Sequence, residues 1–467
     1  MEGAVIVNRV VANFLEHVLE QIKYKKIHPY IRQELEDHIE SLKEAYEKEG
    51  LTEEAAYEKA ITQMGDATIV GKELHEKHKP RCEWSLLILF SLLIGIGLFA
   101  LARMAPYYTD EYRNQDFIKQ LLFVGMGSVV FSIFYFCDYK RLERSSLLLY
   151  GLGVALMVST INWGLSINGK TQFLRIAFIM FYTTSLSMPL LVIGYIGLVR
   201  RWAYPKLKNF LALGAVGMIS SLMMVQISNI PTGIGIGAIF TIVLTLYILG
   251  NEYVGNKMRT LVYTYSALGV GGILMLFMLW RGTFLKEYQV ARLNGFLHPE
   301  EDPRGMGYLY NLLKSIREDA HLIGKTDYFK EILPDRCTGA LSSDMTFTFI
   351  VGNMGWIMGG LVILFLLLAI IRLFRAASRV QDNYGRILAL SIACIFTVQF
   401  VFNMGMNLGY MPIMSSSLPF ISYGGSRLIT NMGLLGLFMG IYRKKDLVLV
   451  MPQGVDKEGT LFSKLLG

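Results

Sequence analysis

The chain has 467 residues, 53% of them hydrophobic and only 18% charged, with a mean hydropathy of +0.41. Those figures exclude disorder, a coiled coil and a disulfide scaffold, and require most of the chain to lie away from water. The net charge of +8 hides a split: residues 1–80 hold eleven Lys/Arg against sixteen Asp/Glu, and the remainder thirty-four against twenty-one. An acidic head therefore precedes a basic body. Because the excess cations sit in short loops between apolar runs, a pI near 9.1 reflects topology rather than nucleic-acid binding.

Residues 1–80 read as a small cytoplasmic helical domain for docking or regulation. Ile6, Val10, Val11, Phe14, Val18 and Ile22 form one apolar stripe at helical spacing. Ile31, Leu35, Ile39, Leu42 and Tyr46 form a second, closed by Gly50. Thr52 before Glu53 and Glu54 is expected to cap a third helix, and Gly65-Asp66 to end it and cap a fourth. His28, His38, His75 and His78 lack ligand spacing, so surface histidines are expected rather than a metal site. Cys82, Cys137, Cys337 and Cys394 show no CxxC or metal spacing and are expected as unpaired thiols. The first apolar run, AVIV, is soon followed by Arg9, Glu16 and Glu20, which argues against a secretory leader.

The body, residues 81–445, carries uncharged runs near 85–104, 117–137, 146–163, 178–199, 208–226, 232–250, 260–280, 346–371, 387–409 and 428–442. Most reach the length a bilayer demands, so the expectation is an all-α polytopic membrane protein with ten transmembrane helices. Counted over the short loops, a cytoplasmic head places thirteen Lys/Arg inside against four outside, a positive-inside bias. Arg443, Lys444 and Lys445 then anchor the C-terminal end inside, with 446–467 as a cytoplasmic tail. Segment 281–345 becomes a large outer loop between spans seven and eight, and 410–427 an outer re-entrant hairpin. The middles of the spans hold no Asp, Glu, Lys, Arg or His, which argues against a proton-driven transporter.

Two stretches depart from lipid-facing composition. The outer loop ends at Ser342-Ser343-Asp344, immediately before span eight, where a half-buried carboxylate is a candidate base. The alternative is a solvated helix cap. The other stretch, MPIMSSSLPFISYGGSRL at 411–428, is too broken by Pro412, Pro419, Gly424 and Gly425 to be helical throughout. It is also too apolar for a free loop, and irregular backbone at membrane depth must be buried in protein or line a cavity. Ser422, Tyr423, Ser426 and the glycine amides beside Arg427 suit an anionic headgroup; a turn that merely fills the bundle is the alternative.

LPFISYGGSRLITN, preceded by NMGMNLGYMP, closely resembles the C-terminal signature of the SEDS family (shape, elongation, division and sporulation). YQVARLNGFLHPEEDPRGMGY at 288–308 resembles that family's outer loop, FIKQLLFVGMG at 117–127 its second span, and the likeness extends over about residues 84–445. The resemblance implies polymerisation of lipid II into glycan strands, usually with a class B penicillin-binding protein as partner. Matched residue by residue, Asp344 takes the position of the catalytic aspartate and Arg292 that of the outer-loop arginine. Pro419, Ser422, Tyr423, Gly424, Gly425 and Ser426 match the signature. The chain departs from the pattern at Ser342-Ser343, Gly352-Asn353, Gln172-Phe173 and ISNIPTG, where the family has histidine-threonine, an acidic pair, arginine-tryptophan and aspartate-leucine-glycine-threonine.

The reaction so implied is an inverting glycosyl transfer from an undecaprenyl-diphosphate donor. Asp344 would deprotonate the acceptor, while Arg292, Arg427 or a divalent cation (Mg or Mn) would meet the leaving diphosphate. No organic cofactor is expected. A lipid-linked precursor transporter or flippase would need the cavity but not Asp344. A non-catalytic scaffold or regulator would need only the head and the bundle surface.

Overall fold

The computed structural model describes residues 2–79, 82–107, 114–167, 170–176, 179–202, 207–250, 254–280, 287–305, 307–326, 338–414 and 416–445. The chain divides into two units, one taking in the chain up to Cys82 and from Arg443 on, the other running from Glu83 to Tyr442.

In the first unit the four expected helices form: α1 (Glu2–Glu20), α2 (His28–Lys48), α3 (Glu53–Met64) and α4 (Ala67–His78). Phe14, Val18 and Ile22 from one stripe meet Ile31, Leu35 and Ile39 from the other in a common core with Ala60, Met64 and Leu74. Lys43 ties α2 to α3, lying 3.1 Å from Glu40 and 3.6 Å from Glu53. The caps differ from expectation at one end. Thr52 occupies the N-cap of α3 but its side chain makes no capping bond, whereas Asp66 accepts from Thr68 N at 2.8 Å and Ile69 N at 3.1 Å.

The second unit is mostly helical, and among its described residues eight helices are long and apolar enough to cross a membrane. They are α5 (Trp84–Met104, extended by a short turn to Tyr107), α6 (Gln115–Phe136), α8 (Ser146–Trp163), α9 (Thr183–Trp202), α10 (Leu207–Ile227), α11 (Ile230–Gly250), α17 (Trp356–Ser378) and α18 (Asn383–Asn407). A short α7 (Tyr139–Arg144) links α6 to α8. Helices α12 (Lys257–Trp280) and α19 (Gly425–Arg443) fall on the other two expected spans. Segment 281–345 contributes α13 (Glu287–Leu297), α14 (Tyr308–Glu318) and α15 (Thr338–Ser342). Cys337 lies outside the described residues, while Cys137 and Cys394 are free thiols.

Two features depart from the expected body of ten unbroken helices. The apolar run placed near 178–199 begins as strand: β1 (Leu165–Ile167), β2 (Lys170–Ile176) and β3 (Ile179–Tyr182) form an antiparallel sheet in which Phe173 faces Tyr182. Along β2 Gln172 and Leu174 are buried while Thr171, Phe173 and Arg175 are not, the two-residue period of a pleat.

The expected eighth span, 346–371, is broken. A short buried helix, α16 (Thr346–Met354), stops at Gly355 with φ +91°, and α17 starts afresh. The break is stabilised from a distance. His321 and Leu322 carbonyls accept the amides of Trp356 and Ile357 at 3.0 and 3.1 Å, satisfying the first turn of α17. Thr326 N and Gly324 N return bonds to the Gly352 and Met354 carbonyls at the end of α16. A side chain at Gly355 would also run into the Leu322 backbone. Asp344 thus precedes a buried half-helix, not the spanning helix itself.

Candidate active site

Asp344 sits in the turn between α15 and α16, with its backbone held in place by buried amides. Asn403 Nδ2 and Asn407 Nδ2, one turn apart on α18, donate to the Asp344 carbonyl at 2.9 and 3.1 Å. Asn407 Oδ1 accepts the Thr348 amide and hydroxyl at 3.2 and 2.8 Å, fixing the first turn of α16. Arg317 of α14 adds a bond from Nη1 to the Asn407 carbonyl at 2.8 Å. A buried polar network with its partners supplied is rigid, and here it sets where the carboxylate can point.

The hairpin between α18 and α19 is irregular and largely buried, as its composition requires. Gln120 of α6 reads its backbone twice, donating to the Ser422 carbonyl and accepting from Gly424 N, both at 3.3 Å. Gly97 of α5 lets Ile421 lie against the helix, since any side chain there would strike the Ile421 backbone. Tyr423 N donates to the Ser342 carbonyl at 2.9 Å, joining the hairpin to the residues before Asp344. Asp116, at the start of α6, hydrogen-bonds the Tyr423 side chain.

These supports bring Asp344 and Arg427 together. Arg427 Nη1 lies 2.9 Å from Asp344 Oδ1, with the side chains only 19% and 23% exposed, and the guanidinium lies 4.2 Å from the centre of the Tyr182 ring. The pair lines a cavity of about 750 Å³ that also receives Arg292, Tyr423, Gly424, Gly425 and Ser426. Arg292 arrives on α13, where Nη1 reaches the Ile413 carbonyl at 3.5 Å; Tyr310 OH donates to the Arg292 carbonyl at 3.1 Å and accepts Ile413 N at 2.8 Å.

Two proposed site residues do not line this cavity. Pro419 is buried in the hairpin turn. Ser422 is buried too, its hydroxyl accepting from Leu418 N at 3.0 Å and from Thr346 Oγ1 at 3.1 Å, so its observed bonds brace the hairpin against α16. Gly425 reaches the cavity, but its lack of a side chain makes room for the Phe123 ring.

The departures from the family pattern have local roles. Gln172, on β2, donates from Nε2 to the Ser228 carbonyl at 2.9 Å, fastening the sheet to the turn between α10 and α11. Asn353 accepts from Arg103 Nε at 3.3 Å and donates to Tyr107 OH at 3.1 Å. Asn229, within ISNIPTG, caps α11 by accepting Thr232 N at 2.8 Å.

Among the described residues no three His, Cys, Asp or Glu side chains come together as a metal site. Among the described residues lining the cavity Asp344 is the one carboxylate, and it faces a guanidinium. These described residues alone do not make up the ligand set of a resident divalent cation.

The family model for cell cycle proteins of the FtsW, RodA and SpoVE type matches residues 83–447. The chain belongs to that family. Stage V sporulation protein E of Bacillus subtilis is 23% identical over 378 residues, covering 77% of this chain and 96% of the relative. The peptidoglycan glycosyltransferase MrdB of Escherichia coli is 28% identical over 335 residues, covering 70% and 85%. Among solved structures, a chain of a peptidoglycan synthase complex matches with a TM-score of 0.61 at 22% identity, covering 78% of this chain and 98% of that one. Rod shape determining protein RodA of Thermus thermophilus matches with a TM-score of 0.51 at 18% identity, covering 78% and 97%. These likenesses establish the SEDS fold for the membrane body.

Proposed function

We propose that this chain is a peptidoglycan glycosyltransferase of the bacterial cell membrane, polymerising lipid II into glycan strands. The observation that carries the reading is the Asp344–Arg427 pair, held in a cavity with Arg292 in a chain of this family. Relatives named as peptidoglycan glycosyltransferases support the reaction class.

In this reading Asp344 accepts the proton of the acceptor sugar's hydroxyl as that oxygen attacks the donor's anomeric carbon. The bond from that carbon to the diphosphate breaks with inversion, so no enzyme nucleophile is required. Arg292 and Arg427 receive the charge that develops on the diphosphate. Arg427 bonds Asp344 and Tyr182, and the N–H groups beyond those two contacts are the ones that would meet phosphate oxygens. A divalent cation would have to enter with the substrate.

The topology that goes with this function counts α12 and α19 with the eight apolar helices, giving ten spans with both chain ends in the cytoplasm. The lysine and arginine bias of the loops supports it. Residues 1–80 then act as a cytoplasmic docking or regulatory module. A class B penicillin-binding protein is the proposed partner on the outer side, in keeping with the synthase complex among the structural neighbours. Incubation of the purified protein with labelled lipid II tests the reaction. A ladder of glycan strands supports it; movement of lipid II across vesicles without polymer would favour a flippase instead.

A further inference from the structure

Helix α13 is fastened to the rest of the body along one side. Gln289 is buried and donates from Nε2 to the Val225 carbonyl at 3.3 Å, Arg292 reaches the Ile413 carbonyl at 3.5 Å, and the Phe296 ring centre lies 5.9 Å from that of Tyr310. At about 100° per residue these three fall within an arc of about 60° and spread over about two turns, so the helix lies along the body instead of standing away from it. Val225 is in the last turn of α10, where carbonyls lack helical partners, so Gln289 both satisfies a helix end and fixes the depth of α13. In the ten-span topology that end of α10 is the outer one. The first turn of α13 is therefore level with the outer edge of the spans.

A second arc of α13 is apolar and open. Val290, Leu293 and Leu297 are 39%, 41% and 58% exposed, and they too fall within about 60° of one another. Asn294 is the exposed polar residue beside them, while Gly295 on the far flank is buried. Scattered exposed leucines are ordinary on a protein surface, whereas three large apolar side chains on one flank of an eleven-residue helix make a stripe that calls for an apolar neighbour. The stripe lies about a quarter-turn from the arc that rests on the body. It therefore faces sideways along the membrane surface, not up into water.

We propose that α13 is an interfacial helix whose Val290, Leu293 and Leu297 side chains rest among the phospholipids of the outer leaflet. Depth favours lipid over a protein as the occupant. A helix held at the outer end of α10 is level with the headgroups, and an amphipathic helix there sinks its apolar face about 5–10 Å, to the boundary between headgroups and chains. Seated so, α13 presents Arg292 to the cavity at the level where a lipid-linked diphosphate would arrive. The inference rests on the membrane topology proposed above and not on the transfer reaction.

The test is nitroxide quenching of a fluorophore on the full-length protein reconstituted in phosphatidylcholine vesicles. Leu297→Cys and Val129→Cys are made singly in a protein whose four native cysteines are replaced by alanine, and each is labelled with a maleimide dye. Val129, 61% exposed and midway along α6, reports the bilayer interior, so a nitroxide near the lipid chain end should quench its label most. The label at Leu297→Cys should be quenched at least about twofold more by a nitroxide near the headgroup than by one near the chain end. If the Leu297→Cys variant is not monodisperse, Leu293→Cys carries the same expectation. Quenching at Val129→Cys with none at the α13 position overturns the proposal and leaves the flank to water or to a protein partner. Absence of quenching at Val129→Cys would instead refute the span reading itself, and the proposal with it.

Discussion

Asn407→Leu separates the support of the site from its chemistry. Asn407 is fully buried, and its side chain makes bonds to Thr348 N, Thr348 Oγ1, the Asp344 carbonyl and the Asn403 carbonyl. Leucine has similar volume and removes all of them. The Asp344 carbonyl keeps Asn403 Nδ2 at 2.9 Å, so the groups that lose a partner are the amide and hydroxyl of Thr348 and the Asn403 Oδ1, which accepted from Asn407 Nδ2 at 3.1 Å. That amide is in the first turn of α16 and has no intrahelical partner. At about 1–3 kcal/mol for each buried group left unpaired, less some gain from apolar contact, the loss should be roughly 3 kcal/mol. The turn that carries Asp344 also loses one of its two amide anchors, and a displacement on the order of 1 Å at a reacting group costs about a hundredfold in rate. Thermal unfolding and lipid II polymerisation, both normalised to monodisperse protein, read the two effects. A variant with wild-type Tm and wild-type rate would show that the amide pair does not position Asp344.

The cations make a second prediction. Arg292→Ala and Arg427→Ala should each weaken lipid II binding, and Arg427→Lys should recover only part of it, because a point charge lacks the guanidinium fork; unchanged affinity in both alanine variants would place the diphosphate elsewhere. In the head, bonds from the amides of Ile69 and Thr68 hold the Asp66 carboxyl below its ordinary value of 3.8. The cap's stabilisation is therefore present above that value and is lost as pH falls through the lowered one. Asp66→Ala should lower the Tm of the excised head at pH 7, and the gap from wild type should close below that window; a gap that persists there would show that the charge on the cap is not the cause. Deletion of residues 1–78 should leave polymerisation by the purified body intact while changing what the protein binds in cells. Loss of activity in a monodisperse truncated protein would put the head in the catalytic machinery.

The membrane helices were legible because a bilayer leaves a chain little choice: an apolar run must satisfy its own backbone, and α5, α6, α8, α10 and α11 fall within a few residues of the runs that foretold them. The break at Gly355 was not legible. Its stabilising bonds come from His321, Leu322, Gly324 and Thr326, about thirty residues earlier, so 346–371 reads locally as one helix. The strands ending at Tyr182 were hidden for a related reason, since an apolar run beside a span looks like its beginning. At the site, Asp344, Arg292 and Arg427 were named from sequence and line one cavity. Gln120, Asn403 and Asn407 were not named, although they do much of the positioning. A lone amide in an apolar helix carries a local signal, the cost of burying it unpaired, but its partner cannot be read locally when, as for Gln120 and Ser422, the two lie 302 residues apart. Ser422 belongs to the motif but does not line the cavity, because a motif shows which residues recur together, not which of them face an opening.

The central claim is that Asp344 is the base of a glycan polymerase, and Asp344→Asn tests it most directly. The amide keeps the size of the side chain and an oxygen for Arg427, while the backbone bonds from Asn403 and Asn407 are untouched. The measurement is polymer formed from labelled lipid II by purified wild type and variant at equal monodisperse concentration, with lipid II binding measured alongside. The account predicts retained binding and no polymer from the asparagine variant. Polymer at near the wild-type rate would contradict it.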